Sequence, residues 1–174
     1  MIQDALPQLS PIGTDENVTI RLARASDISA MVSLSYAKRR AYEKAQPRFW
    51  AYAPEAEESQ SQYFNELLTQ DDHILLVAET HDKVIGFVIG RVQEAPKVYD
   101  PGGLTVMIDD FCVVSTSNWQ EVGGKLLQKL KQLAHLKDAS QLLVVCGAHD
   151  ETKRQFLKGL GLNVASEWYV GEVE

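Results

Sequence analysis

The sequence predicts one α/β (α+β) domain whose elements run βαα-ββ-β-α-β-α-β. Three observations predict it. Residues 73–80, HILLVAET, and 83–95, KVIGFVIGRVQEA, are β-rich apolar runs separated only by His81-Asp82, the signature of an antiparallel hairpin. Residues 121–137 carry Val122, Leu126, Leu127, Leu130, Leu133 and Leu136 at helical spacing. That helix lies between the strand-like runs 104–114 and 141–148, and a helical crossover joins parallel strands. A sheet with both kinds of pairing is mixed.

The remaining elements follow in order. Residues 1–17 contain Pro7, Pro11 and Gly13 without periodicity and read as an N-terminal arm, which leaves 18–174 as the domain. VTIRLAR, 18–24, alternates Val18, Ile20 and Leu22 against polar residues and reads as a strand. Ser26-Asp27 supplies cap chemistry for a helix that Pro47 ends. Residues 55–69 form a second helix with an acidic first turn, which suits the helix dipole. After strand 141–148, ETKRQFLKGL is a short helix stopped at Gly159 or Gly161, and LNVASEWYVGEV is a terminal strand.

Composition narrows the function classes. A chain of 174 residues suits one domain of roughly 100–200 residues with a core that needs no disulfides. The formal charge of −7 disfavours broad nucleic-acid binding, which needs a basic surface. No run approaches the ~18 apolar residues of a membrane span, and the N-terminus lacks the basic region of a signal peptide, so the expected location is cytoplasmic. Cys112 and Cys146 sit in apolar runs and read as buried reduced thiols. The histidines are scattered and the cysteines lack metal spacing, so no metal is expected. Phosphate-loop, dinucleotide, nucleophile-elbow and zinc-protease motifs are absent.

The segments IRLARASD, VAETHDKVIGFVIGRV, IDDFCVVSTSNWQEVGGKLLQKL and RQFLKGLGL, in that order, resemble the GNAT superfamily of acetyl-CoA-dependent N-acetyltransferases over about 18–172. The resemblance implies a mixed, mostly antiparallel twisted sheet with helices on both faces. It implies acetyl-CoA as co-substrate, held by backbone groups near Cys112, Val113 and Val114. The turn through Asn118, Gln120, Val122, Gly123, Gly124 and Lys125 is the implied pyrophosphate site, with Asp150 where the family often has Asn. Physically, a strand that feeds a helix N-terminus offers unpaired N–H groups and a dipole that attract an anion. The bland reading of the same residues is a flexible turn before a core helix.

The segment departs from the family pattern of Arg or Gln, two residues, Gly, one residue, then Gly or Ala. One register places Asn118 on the first position, Glu121 on the first Gly and Gly123 on the last. The other starts at Gln120, meets Gly123 and fails at Lys125. Leu157 occupies the position of the family's usual general acid, a tyrosine, and an aliphatic side chain carries no proton. Tyr169 would substitute if the last strand folds back.

IDDFCV resembles the central strand of polyamine-type acetyltransferases. By that resemblance Asp109 is the candidate base and Asp110 a contact for a cationic amine. Neighbouring strand residues face opposite ways, so both reach one pocket only if the strand is bulged. Phe49, Trp50 and Tyr99 are candidate substrate-wall residues. The expected activity is acetyl transfer from acetyl-CoA to a primary amine of a small, polyamine- or amino-acid-like molecule. The alternatives are a non-catalytic binding or regulatory module of the same fold, and a protein N-terminal or lysine acetyltransferase. A homodimer is the expectation that similar proteins suggest.

Overall fold

The computed structural model describes residues 18–173; the N-terminal arm expected over 1–17 lies outside the described residues. Five strands form one sheet in the order β1 (Thr19–Leu22), β2 (His73–Thr80), β3 (Lys83–Gln93), β4 (Leu104–Val113), β5 (Ala139–Val144). Every neighbouring pair is antiparallel except β4–β5, which is parallel. The β2–β3 turn is the expected one. His81 and Asp82 both take positive φ, 46° and 59°, which is the backbone a two-residue turn between right-twisted strands requires.

Helices cover both faces. On one face α1 (Ile28–Ala45) and α3 (Ala56–Leu67) set Ile28, Met31, Val32, Phe64 and Leu67 against Leu75, Val77, Phe87, Ile89 and Cys112. On the other, α4 (Gly124–His135) and α5 (Glu151–Gly159) set Leu126, Leu127, Leu130, Phe156 and Leu157 against Leu76, Val88, Val106, Ile108 and Phe111. The row read in the sequence meets the sheet from Val122 to Leu133, while Leu136, expected in the same row, is exposed past the end of α4. The start of α1 is fastened by Arg21 of β1, whose guanidinium pairs with Asp27 at 2.7 Å and with Glu79 of β2.

Three expectations are corrected. Residues 160–173 form no strand. A strand persists only with a ladder partner, and this tail lies instead against the short helix α2 (Pro47–Trp50), with Trp168 on Phe49 and Glu172 paired with Arg48. α2 is a further difference: Pro47, expected only to end the first helix, opens a second, short one. Helical backbone also begins before residue 121. A 3₁₀ turn at Thr116–Asn118 runs into a π-helical turn at Trp119–Gly123 and then into α4. Among the described residues no helix is long and apolar enough to cross a membrane.

Candidate active site

β4 is bulged at the carboxylates. Ile89 of β3 stands opposite Asp110 and Gly90 opposite Ile108, so Asp109 is the extra residue. The bulge changes the parity of the strand. Val106 and Ile108 face the α4 side before it, and Phe111 faces that side after it. Asp109 and Asp110 therefore both fall on the α1 face, the arrangement an unbulged strand forbids. Their environments differ. Asp109 is exposed and forms no hydrogen bond or ion pair among the described residues. Asp110 is buried and bound to α1: Lys38 Nζ lies 2.6 Å from Oδ1, Ser35 Oγ 3.4 Å from the same oxygen, and Arg39 Nη2 3.6 Å from Oδ2. Burial works against both charges, and their attraction outweighs it, so Asp110 is held below the usual carboxylate range and Lys38 is raised. Asp110, expected as an amine contact, is thus also the anchor of α1 on β4.

A slot opens where β4 and β5 part. Their register ends at Ile108 opposite Val144, with one further bond from Val145 N–H to Ile108 C=O, while β4 continues to Val113. Val114 donates its N–H to Ile85 of β3, and ladder alternation turns Cys112, opposite Phe87, the same way. Of the strand residues expected to hold a ligand, Val113 therefore keeps its backbone toward the slot, and Phe111 joins it. Burial raises the thiols of Cys112 and Cys146, which keeps both protonated and poor nucleophiles.

The slot leads to the turn before α4. Asn118 Oδ1 is buried there with no hydrogen-bond partner, an acceptor left open at the expected cofactor turn. Gln120 is exposed and Val122 is core. Glu121, the residue out of place in the family pattern, is paired with Lys125 at 3.2 Å, one helical turn on. The two glycines differ. A Cβ on Gly123 would lie 2.8 Å from Trp119 Cε3 and 3.2 Å from Phe156 Cζ, whereas one on Gly124 would meet nothing within 4 Å. Gly123 serves packing; Gly124 leaves the backbone open. Gly123→Ala is expected to lower stability by about 1–3 kcal/mol through overpacking. Gly124→Ala is expected to raise it by about 0.5–1 kcal/mol. Urea denaturation midpoints of the two variants check both.

The sequence profile described as the acetyltransferase (GNAT) family matches residues 37–162. The chain belongs to that family. Solved structures carry the same fold at low identity. A point mutant of the BH1408 protein from Bacillus halodurans superposes with a TM-score of 0.78 at 15% identity, covering 90% of this chain and 99% of that one. A predicted acetyltransferase with acetyl-CoA from Clostridium acetobutylicum gives 0.69 at 19%, covering 89% and 96%. The aminoglycoside 6'-N-acetyltransferase AAC(6')-Ih from Acinetobacter baumannii gives 0.68 at 13%, covering 90% and 98%. No curated protein matches the chain in sequence.

This GNAT domain has its own arrangement beyond the slot. Leu157, at the family's tyrosine position, is buried in the α4-side core. Tyr169 is 90% exposed, its hydroxyl donating to Glu167, so the tail does not return it to the slot. Asp150 caps α5 by accepting from the Lys153 N–H at 3.2 Å, and its other oxygen accepts from the Tyr42 hydroxyl at 2.9 Å. It braces α1 against α5 at the position expected to contact the cofactor. Tyr42 also accepts from Gly147 N–H at 3.2 Å, and burial holds its hydroxyl protonated.

The substrate-wall residues separate. Trp50 packs on Tyr42 at 5.1 Å between ring centroids and on Phe49 at 4.6 Å, and Tyr42 meets His149 at 4.6 Å. This aromatic group lies past the end of β5. Tyr99 sits in the loop before β4, fastened at the other end of the two strands by Ser140 Oγ donating to Pro101 C=O, and it is 71% exposed. Tyr99 is therefore not brought to Phe49 and Trp50.

Lys153 was not singled out by the sequence. It is 1% exposed, and its Nζ donates to Phe111 C=O at 3.2 Å and to Val145 C=O at 3.3 Å, bridging the two strands at the inner end of the slot. The signal was present: Lys153 shares the helical row of Phe156 and Leu157, the buried residues of α5.

Proposed function

We propose that the chain transfers the acetyl group of acetyl-CoA to the primary amine of a small, cationic molecule. The observation that carries this is the parting of β4 from β5 beyond Ile108, which leaves Phe111 and Val113 backbone edging a slot that runs into a helix start. A chain of amides such as pantetheine pairs with such an edge as a strand would, and the orphaned Asn118 Oδ1 and open Gly124 fit a donor-bearing, anionic ligand end at the turn. On the α1 face, the exposed side chain of Asp109 is the group assigned here to take a proton from an incoming ammonium. Aromatic faces at Phe49, Trp50 and Trp168 suit a cation. Aminoglycoside acetyltransferases, whose substrates are amines, are among the structural neighbours.

The chemistry needs no covalent enzyme intermediate. The amine loses a proton, attacks the thioester carbonyl and forms the amide, while the C–S bond breaks. Alignment of the two reactants supplies much of the rate.

Calorimetric titration with acetyl-CoA, with free CoA as control, tests the reading, followed by a panel of polyamines, amino acids and aminoglycosides. Micromolar binding and turnover of an amine support it. Binding without turnover of any amine points to the non-catalytic module, and turnover only of peptide N-termini or lysines points to a protein acetyltransferase. No binding at millimolar acetyl-CoA overturns it.

A further inference from the structure

We propose that Lys153 is the proton donor to the sulfur of the departing CoA, acting from one helical turn before Leu157; this rests on the acetyl transfer proposed above. The first ground is an imbalance of charge. A fully buried ammonium is ordinarily paired with an acid. Lys153 has no carboxylate within ion-pair distance among the described residues, and its surroundings are two carbonyls and the faces of Phe111 and Trp119, at 5.3 and 5.4 Å. An ammonium has three N–H donors. Two are spent on Phe111 and Val145, and no acceptor among the described residues takes the third. The site is half of an ion pair.

The second ground is position. Phe111 and Val145 lie just past Ile108 and Val144, where the strands separate, so Lys153 spans the inner end of the slot. A ligand whose anionic end lies at the turn before α4 and whose amide chain follows the β4 edge ends there, at its thioester. Lys153 and Leu157 are four residues apart on the buried face of α5, so the ammonium points into the same space as the residue at the family's acid position. Burial, reinforced by Lys38, lowers the Lys153 pKa and so eases loss of its proton. Cys112, Cys146, Asp150 and, beyond ion-pair distance, Asp110 are the other titratable groups that act on it.

The step balances without another reagent. The amine nitrogen bonds to the acetyl carbon, the C–S electron pair returns to sulfur, and an Nζ–H proton of Lys153 passes to that sulfur to give the CoA thiol. The proton released by the acceptor amine goes to Asp109 or water, and water restores the Lys153 ammonium.

Two measurements test it. Lys153→Met keeps the length and apolar contacts of the side chain and removes its charge. Its kcat with acetyl-CoA is expected to fall about 10²-fold or more. With a nitrothiophenyl acetate, whose leaving thiolate needs no proton, the fall is expected to be only a few-fold. Equal losses with both donors, or no loss with acetyl-CoA, overturn the proposal. The second measurement does not depend on turnover. Wild type is expected to bind CoA several-fold tighter than the CoA analogue lacking the sulfur at pH 8, because an ammonium beside the thiol favours its thiolate form. Lys153→Met is expected to bind the two alike. Equal affinities in the wild type, or a preference that survives in Lys153→Met, overturn the proposal. If wild type itself neither binds acetyl-CoA nor acetylates an amine, it is the acetyl-transfer reading that falls; if wild type turns over and Lys153 proves dispensable, only the role of Lys153 falls.

Discussion

Asp109→Asn is expected to lower kcat/KM for amine acetylation by about 10²–10⁴-fold, the usual contribution of a general base, while leaving the urea midpoint unchanged. The geometry separates the two effects. Asp109 is the added residue of the β4 bulge, exposed and without a hydrogen-bond or ion-pair partner among the described residues, so the folded state gains nothing from its charge. The same bulge turns it to the α1 face, beside the slot that parts β4 from β5. Asparagine keeps the shape and cannot accept a full proton. Steady-state kinetics against one amine, with a denaturation curve for each protein, decides the matter. Unchanged kinetics would remove Asp109 from the reaction and leave solvent as the proton acceptor.

The bulge marks the boundary of what the sequence makes legible. Period and turn chemistry locate β2, β3, β4, α4 and the turn at His81-Asp82 because those signals are local. A bulge is a property of two strands. Nothing within IDDFCV specifies that Ile89 will oppose Asp110 while Gly90 opposes Ile108; that follows from the register of β3. The tail illustrates the same limit from the other side. Leu162, Val164, Trp168 and Val170 alternate as a strand should, yet no strand adds there, and Trp168 rests on Phe49 instead. Lys153 was legible in principle. Its row with Phe156 and Leu157 is an ordinary core row with a cation in it, and a charged residue at a core position is a feature that local consistency does not predict. The pairing of Asp110 with Lys38 spans 72 residues, so it needed the packing of α1 across β4.

That pairing carries the largest expected effect on stability. Asp110→Ala is expected to cost about 3 kcal/mol near neutral pH, toward the lower end for breaking a buried ion pair because both side chains keep some solvent contact. Most of that cost is the Lys38 ammonium left in a desolvated place without its partner. The pH dependence has a definite sign. The folded-state pKa of Asp110 is depressed, so its contribution is fully present above the unfolded carboxylate value of about 3.9 and is lost as pH falls through the folded value. The stability gap between wild type and Asp110→Ala should therefore be constant above about pH 5 and close in acid. Replacing both partners, as Lys38→Met with Asp110→Leu, is expected to restore most of the stability, since two apolar side chains carry no desolvation debt. The same pair of variants distinguishes the two acids functionally. If Asp110 only fastens α1 over β4, activity lost in Asp110→Ala returns in the double variant, whereas no stabilising change returns the activity lost in Asp109→Asn. A double variant that is stable and inactive would keep Asp110 among the groups that meet the amine.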